Sequence, residues 1–277
     1  MNSVERALAS LGETLAAKQP EPEPAEKPAK VVQLQIKFHP DAPPAPNDLL
    51  RSAFFPAIQS KDRQFINNEV IATLDGATIR LLGKQLNQDD LDTFLAVQTI
   101  AQEQPTTLQG RSSERALLKM LGRRRGNNAS KALWDSVLRL RSATFILEGK
   151  RGKYAGGLID DAYREENTRE YVWRMNPRLN ALLNGGATFL ALETRQKLAG
   201  KPLTQWLQAN YASHTTPHAY SVTKLRELSG SKTAALKDFR KMLRRALDDL
   251  KAIGEITDWE IDGRDLVHIV KAKKIGG

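Results

Sequence analysis

Three consecutive arginines, Arg123, Arg124 and Arg125, are followed by Gly126 and then by Asn127, Asn128, Ser130 and Lys131. About a hundred residues on, Ser231, Lys232 and Thr233 precede Lys237, Arg240, Lys241, Arg244 and Arg245. Guanidinium and ammonium groups at this density suit phosphate, and Arg, Lys and Asn also read base edges in a DNA major groove. The chemistry they offer is binding rather than bond-making. Arg111 to Arg141 holds nine basic and two acidic residues, and Lys224 to Lys251 nine basic and four acidic. The net charge is +10, yet residues 1–47 carry five basic and six acidic side chains, so the remainder holds +11. This uneven charge predicts one DNA-facing element in each of two domains. The competing reading of each basic segment is a solvated surface with no partner.

Other residue types that could do chemistry have simpler roles. Asp89, Asp90 and Asp92 form a carboxylate cluster, but an acidic first helical turn accounts for them. His214 and His218 are four apart, and Pro217 between them breaks the helix that would align them on zinc. His39 and His268 stand alone, so the histidine pair that a nicking initiator needs is missing. "LLGKQL" lacks the glycine spacing of an ATP-binding phosphate loop. The chain has no cysteine, which excludes disulfides and thiolate chemistry and fits the cytoplasm. No run approaches the roughly 18 apolar residues of a membrane span. Glu5, Arg6 and Glu13 interrupt what would be a signal peptide. The expectation is a protein with no cofactor, metal, catalytic activity or membrane partner.

The elements that must position the basic residues are legible in outline. Residues 1–47 read as a disordered tail: a short amphipathic helix over Ser3 to Ala17, then prolines at 20, 22, 24, 28, 40, 43, 44 and 46 that oppose regular structure. The folded part starts near Leu49. "VIATLDGATIRLLG" predicts a hairpin turning at Asp75-Gly76. Three helices follow: one capped at Asn87 or Asp89 and ended by Pro105, one capped at Ser112 or Ser113 and stopped by Gly122, and one over "ASKALWDSVLRLRSA". Strands and Gly-rich turns come next. "EGKRGKYAGG" is expected as a wing, with Lys150, Arg151 and Lys153 for backbone or minor-groove contact, or alternatively as a dimer edge.

The second half repeats this order. Helical material over "NPRLNALLNGG" and around Gly200 and Pro202 leads to a short helix capped by Ser221 and closed by Gly230. A long helix from Lys232 to Ile253 and a hairpin turning at Asp262-Gly263 complete it. At about 100° per residue, Leu236, Phe239, Leu243, Ala246, Leu247, Leu250 and Ile253 share one face of the long helix. Lys237, Lys241, Arg244 and Arg245 lie opposite, with Arg240 on the flank. The class is therefore α+β, two tandem winged-helix (helix-turn-helix) domains over 48–175 and 176–277. Ser231, Lys232, Thr233 and Lys237 would reach base edges, while Lys241, Arg244 and Arg245 would hold phosphates. Asn127, Asn128, Ser130 and Lys131 are the counterparts in the first domain.

"LLRSAFF", "DGATIRLLGKQLNQDDLDTFLAVQTIA" and "FRKMLRRALDDLKAIGEITDWEIDGRDLVHIVK" resemble the TrfA-like plasmid replication initiators, over roughly Leu49 to Lys271. The resemblance implies binding to repeated origin sites (iterons) in double-stranded DNA and opening of an adjacent AT-rich region. It also implies recruitment of the host initiator and replicative helicase, and exchange between monomer and dimer. A transcriptional autorepressor on an inverted repeat is the competing function. Within the tail, "VVQLQIKF" stands out. Gln33, Leu34, Ile36 and Phe38 follow a pattern similar to the peptides by which bacterial replication proteins hold the sliding clamp, with Ile36 in place of the usual leucine.

Overall fold

The computed structural model describes residues 42–272 except 75–76, 105–107, 150–151, 178 and 180–185. The clamp-like peptide, the Ser3–Ala17 helix, Lys150, Arg151 and most of "NPRLNALLNGG" lie outside the described residues.

The chain enters through an unexpected strand. β1 (Pro44–Pro46) pairs antiparallel with β9 (Ala187–Phe189), Ala45 opposite Thr188. The Leu190 amide donates to the Pro43 carbonyl at 3.3 Å and the Asn47 amide to the Gly186 carbonyl at 3.0 Å. The ladder therefore uses positions 43, 45 and 47. Pro44 and Pro46, which have no N–H, fall at the positions that do not need one. Proline spacing argued against regular structure up to residue 47, but alternate-residue spacing is the pattern a two-stranded ribbon tolerates. Residues 42–47 consequently belong to the folded body.

After α1 (Asn47–Leu50) and a 3-10 turn over Ser60–Asp62, two blocks repeat one order of elements. The first runs α2 (Gln88–Glu103), β4 (Gln109–Ser113), α3 (Glu114–Met120), α4 (Asn127–Ser142) and the hairpin β7 (Ile159–Arg164) and β8 (Glu170–Met175). The second, after α5 (Leu192–Lys197), runs α6 (Pro202–Ala212), β10 (Tyr220–Ser221), α7 (Val222–Leu228), α8 (Leu236–Ala252), β11 (Ile256–Ile261) and β12 (Leu266–Lys271). Their sheets have matching orders, β4-β8-β7 and β10-β12-β11. In each, the strand between the first two helices pairs with the last strand of the hairpin. We call the blocks the first and second modules.

The first module contains an insertion. β5 (Thr144–Gly149) and β6 (Gly152–Gly156) follow α4 and join β2 (Phe65–Leu74) and β3 (Ala77–Lys84) in a sheet of order β2-β3-β5-β6. The expected wing "EGKRGKYAGG" therefore contributes to a separate sheet, with β6 at its edge, and the hairpin that closes the first module is β7–β8. Local turn signals could not show this, because pairing of Leu81 with Phe145 is a long-range contact.

Capping explains the helix starts. Asn87 caps α2 in a capping box with Asp90, Ser113 Oγ accepts from the Ala116 amide at 3.2 Å, and Ser221 Oγ from the Lys224 amide at 3.1 Å. α8 begins at Leu236 rather than Lys232. Ser231 and Thr233 bond to each other through their hydroxyls at 3.2 Å and hold a turn instead. The last hairpin turns over Asp262–Asp265, not two residues, because Asp262 Oδ1 accepts from the Arg264 and Leu266 amides at 2.8 and 2.9 Å. Asp265 takes the positive φ of 64°.

The described residues form one unit with two cores. The larger gathers Phe54, Phe55, Phe94, Leu140, Phe145 and Trp173 and takes Leu190, Leu192 and Ala209 from the second half. The smaller packs Trp206, Leu225, Phe239, Leu243, Leu247 and Leu250. The modules are stitched together by buried polar bonds. Trp206 Nε1 donates to the Ser52 carbonyl at 3.2 Å, and the Ala57 amide to the Ser229 carbonyl at 2.7 Å. Arg195, fully buried, pairs with Asp92 and donates to Gln88 Oε1 at 2.8 Å.

Candidate nucleic-acid interface

In the second module, α7 ends at Gly230, whose φ of +60° suits a residue without Cβ. A Cβ there would also meet Pro56 Cβ at 2.7 Å. The turn Ser231–Ala235 then leads into α8. Phe239, Leu243, Leu247 and Leu250 are fully buried. Each contributes about 1.5–3 kcal/mol by burial, whereas a surface ion pair contributes about 0–1. Burial thus sets the helix's rotation and turns its basic face outward. Lys237, Lys241, Arg244 and Arg245 are exposed. Among the described residues none of these four forms an ion pair or hydrogen bond, so their charges remain available to a polyanion.

Arg240 differs. Its Nε and Nη2 donate to the two carboxylate oxygens of Asp265 at 2.9 and 2.6 Å. The Arg240 hydrogen bond, aided by the charges of Arg240 and Arg244, holds the Asp265 carboxyl below the ordinary aspartate value against the opposing effect of burial. Arg240 therefore fixes the β11–β12 loop to α8. Arg264 stands exposed at that loop's tip. The sequence reading missed Arg264, because it stands between Asp262 and Asp265 and no run of basic residues marks it. The acids at the end of α8 are also explained: Asp249 takes Lys201 Nζ at 2.6 Å and Asp248 takes Trp259 Nε1 at 3.1 Å. Ser231 and Thr233 are half-buried in the turn, and Lys232 Nζ donates to the Asp62 carbonyl at 3.2 Å.

The first module has the same construction with weaker charge. Gly122, φ +65°, ends α3, and a Cβ there would meet Gln196 Cγ at 2.9 Å. Arg124, Arg125, Asn127 and Asn128 are exposed. Arg123 is half-buried and pairs with Asp89 at 3.4 Å, and Lys131 pairs with Asp135 at 2.8 Å. Ser130 is turned inward, contrary to its expected role at base edges. Its Oγ donates to Glu114 at 2.7 Å, and Arg164 Nη2 reaches both residues at 3.2 Å. Burial alone would raise the Glu114 pKa, but the hydrogen bonds from Ser130 and Arg164 and the charges of Arg164 and Arg169 hold it below the ordinary value. Lys153 is exposed on β6 and pairs with Glu148 at 3.0 Å. The loop between β7 and β8 contains Glu165, Glu166 and Arg169, an acidic balance that suits phosphate poorly.

Asp90, buried, receives Arg139 Nη2 at 2.8 Å, Arg63 at 3.0 Å and Ser136 at 2.6 Å. The carboxylate cluster therefore holds the fold. The His214 and His218 rings lie 5.4 Å apart, and among the described residues no third metal-ligating residue stands with them.

No family model and no curated protein matches the chain. Solved structures do. A selenomethionine form of domains 2 and 3 of RctB matches with TM-score 0.57 at 14% identity, covering 83% of this chain and 99% of that one. A second structure of RctB domains 2–3 matches with TM-score 0.54 at 15% identity over 79% and 95%. These two likenesses show a shared mixed α/β fold. Pi initiator protein in complex with iteron DNA has TM-score 0.48 at 13% identity, over 68% and 95%.

Proposed function

We propose that the chain is a plasmid replication initiator whose two modules are winged helices that bind repeated sites in double-stranded origin DNA. The observation that carries this reading is α8. It follows a helix and turn, is rotated by burial, and holds Lys237, Lys241, Arg244 and Arg245 outward, with no ion pair or hydrogen bond to them among the described residues. The first module presents Arg124, Arg125, Asn127 and Asn128 at the matching place in a matching order of elements. The likeness of three sequence blocks to TrfA-like initiators supplies the biological setting.

In this account each chain places α4 and α8 in successive major grooves on one face of the duplex. Lys237 and the exposed asparagines read base edges, and Lys241, Arg244 and Arg245 hold phosphates. The protein is not an enzyme. Opening of neighbouring duplex draws on binding free energy, through bending and occupancy of adjacent repeats. The host initiator, the replicative helicase and the sliding clamp are partners, the clamp through Gln33, Leu34, Ile36 and Phe38, and monomer–dimer exchange sets activity. The test is a nuclease footprint of purified full-length protein on the DNA bordering its own coding region. Protection of tandem direct repeats supports initiation. Protection of a single inverted repeat would make the protein a repressor.

A further inference from the structure

The Ser60–Asp62 turn joins the two helix-turn-helix elements. At one end the Asp62 carbonyl accepts from Lys232 Nζ at 3.2 Å. At the other, Ser60 Oγ donates to Asp89 Oδ2 at 3.2 Å, and Asp89 pairs with Arg123 at 3.4 Å. Lys232 lies in the turn before α8, and Arg123 in the turn before α4. The Ser60–Asp62 turn therefore forms a ridge between the two elements. A groove lies on each side. One, of about 570 Å³, is walled by Thr233 and Met242, and the other, of about 360 Å³, by Arg123, Ala132 and Asp135. Arg63 lines both.

The ridge is exposed and buries none of its residues, so hydrophobic burial does not order it. Fixing an exposed backbone costs conformational entropy. Polar bonds meet that cost. Arg63 Nη1 donates to the Ser60 carbonyl at 3.3 Å, and its Nη2 is anchored on Asn87 and Asp90 at 2.6 and 3.0 Å. Asn87 Nδ2 reaches the Ile58 carbonyl at 3.3 Å. The capping box of α2 thus holds the ridge rigid. Lys61, at its crest, is exposed, and among the described residues it has no ion pair or hydrogen bond.

We infer that this ridge is a third DNA-contact element, with Lys61 held against backbone phosphates of the minor groove that separates the two major-groove sites. The inference rests on the proposed function, since it takes the two helix-turn-helix elements to straddle one minor groove. It adds a contact that neither reading helix supplies, and a rigid strut that sets the distance between them.

The experiment uses full-length protein and a duplex carrying its repeated site. Lys61→Ala should weaken binding several-fold. It should lower the slope of log affinity against log salt by about one, the contribution of one phosphate contact, without changing base preference. Lys61→Cys carrying a tethered iron chelate should cleave both strands within the interval between the two major-groove footprints. An unchanged salt slope, or cleavage outside that interval, overturns the inference. Wild-type protein that shows no preference for repeated DNA overturns the parent reading instead, and the ridge assignment falls with it.

Discussion

Arg195 of the second half and Asp92 of the first form an ion pair whose guanidinium is wholly excluded from solvent. Arg195 also donates to Gln88 Oε1 and to the Gln205 carbonyl at 2.8 and 3.2 Å, so its donors are well used. This joint sets α2 against α5 and α6, and with them the relative placement of the two modules.

Breaking one side of such a pair leaves a buried, uncompensated charge, at a cost of about 3–5 kcal/mol. Arg195→Met and Asp92→Leu should each lower the unfolding free energy in urea by roughly that amount. The double variant should recover much of the loss, because the remaining charge is gone. Additive losses would contradict a direct coupling.

Lys237→Ala and Arg244→Ala remove unpaired charges from α8. Lys237→Ala, at a base-reading position, should weaken binding to the repeated site and relax its sequence preference, whereas Arg244→Ala, at a phosphate contact, should weaken binding and lower the salt slope by about one, with thermal stability unchanged in both. Arg240→Ala should behave differently, since its charge is committed to Asp265. It should barely change global stability but loosen the β11–β12 loop, which amide hydrogen exchange reads. A gel-shift series in which all three variants share one salt slope would contradict this division of labour.

His214 gives the protein a pH response. It is 8% exposed, and burial, assisted by the charges of Arg51, His218 and Lys271, lowers its pKa from 6.5 to about 4. Between those values the unfolded chain takes up a proton that the folded chain refuses. Stability should therefore fall as pH drops from about 6.5 to 4, by up to about 1.4 kcal/mol per pH unit, and be insensitive to this group above that window. His214→Gln should flatten the profile of melting temperature across that window. An identical slope in the variant would assign the effect elsewhere.

Truncation of α8's buried face checks what turns its charges outward. Phe239→Ala and Leu247→Ala, both at fully buried positions, should cost about 3–5 and 2–5 kcal/mol in chemical denaturation. Losses below about 1 kcal/mol would mean the helix is not held by that face.

Much of this organisation was legible because it is written in local chemistry. Asn87, Ser113 and Ser221 announce helix starts by type, Gly122 and Gly230 announce stops, and the apolar spacing from Phe239 to Leu250 fixes the face of α8. What escaped depends on long-range pairing. β5 pairs with β3, which puts Lys153 in a separate sheet rather than in the hairpin that closes the first module. Pro44 and Pro46 read as breakers until β9 supplies the ladder. Ser130 looks like a surface residue at a helix start until Glu114 and Arg164 claim it. Lys61 carries no motif, and its place between the turns before α4 and α8 is set by Arg63, Asn87 and Lys232 from three parts of the chain.

The central claim is that one chain reads one repeat with two elements on one face of the duplex. Methylation protection at guanine N7 on a single repeat, read at one bound chain per site, tests it most directly. The account predicts two clusters of protected major-groove guanines one helical turn apart, with Arg124→Ala weakening one cluster and Lys237→Ala the other. A single cluster, or two clusters that require two chains related by a palindrome, would contradict it.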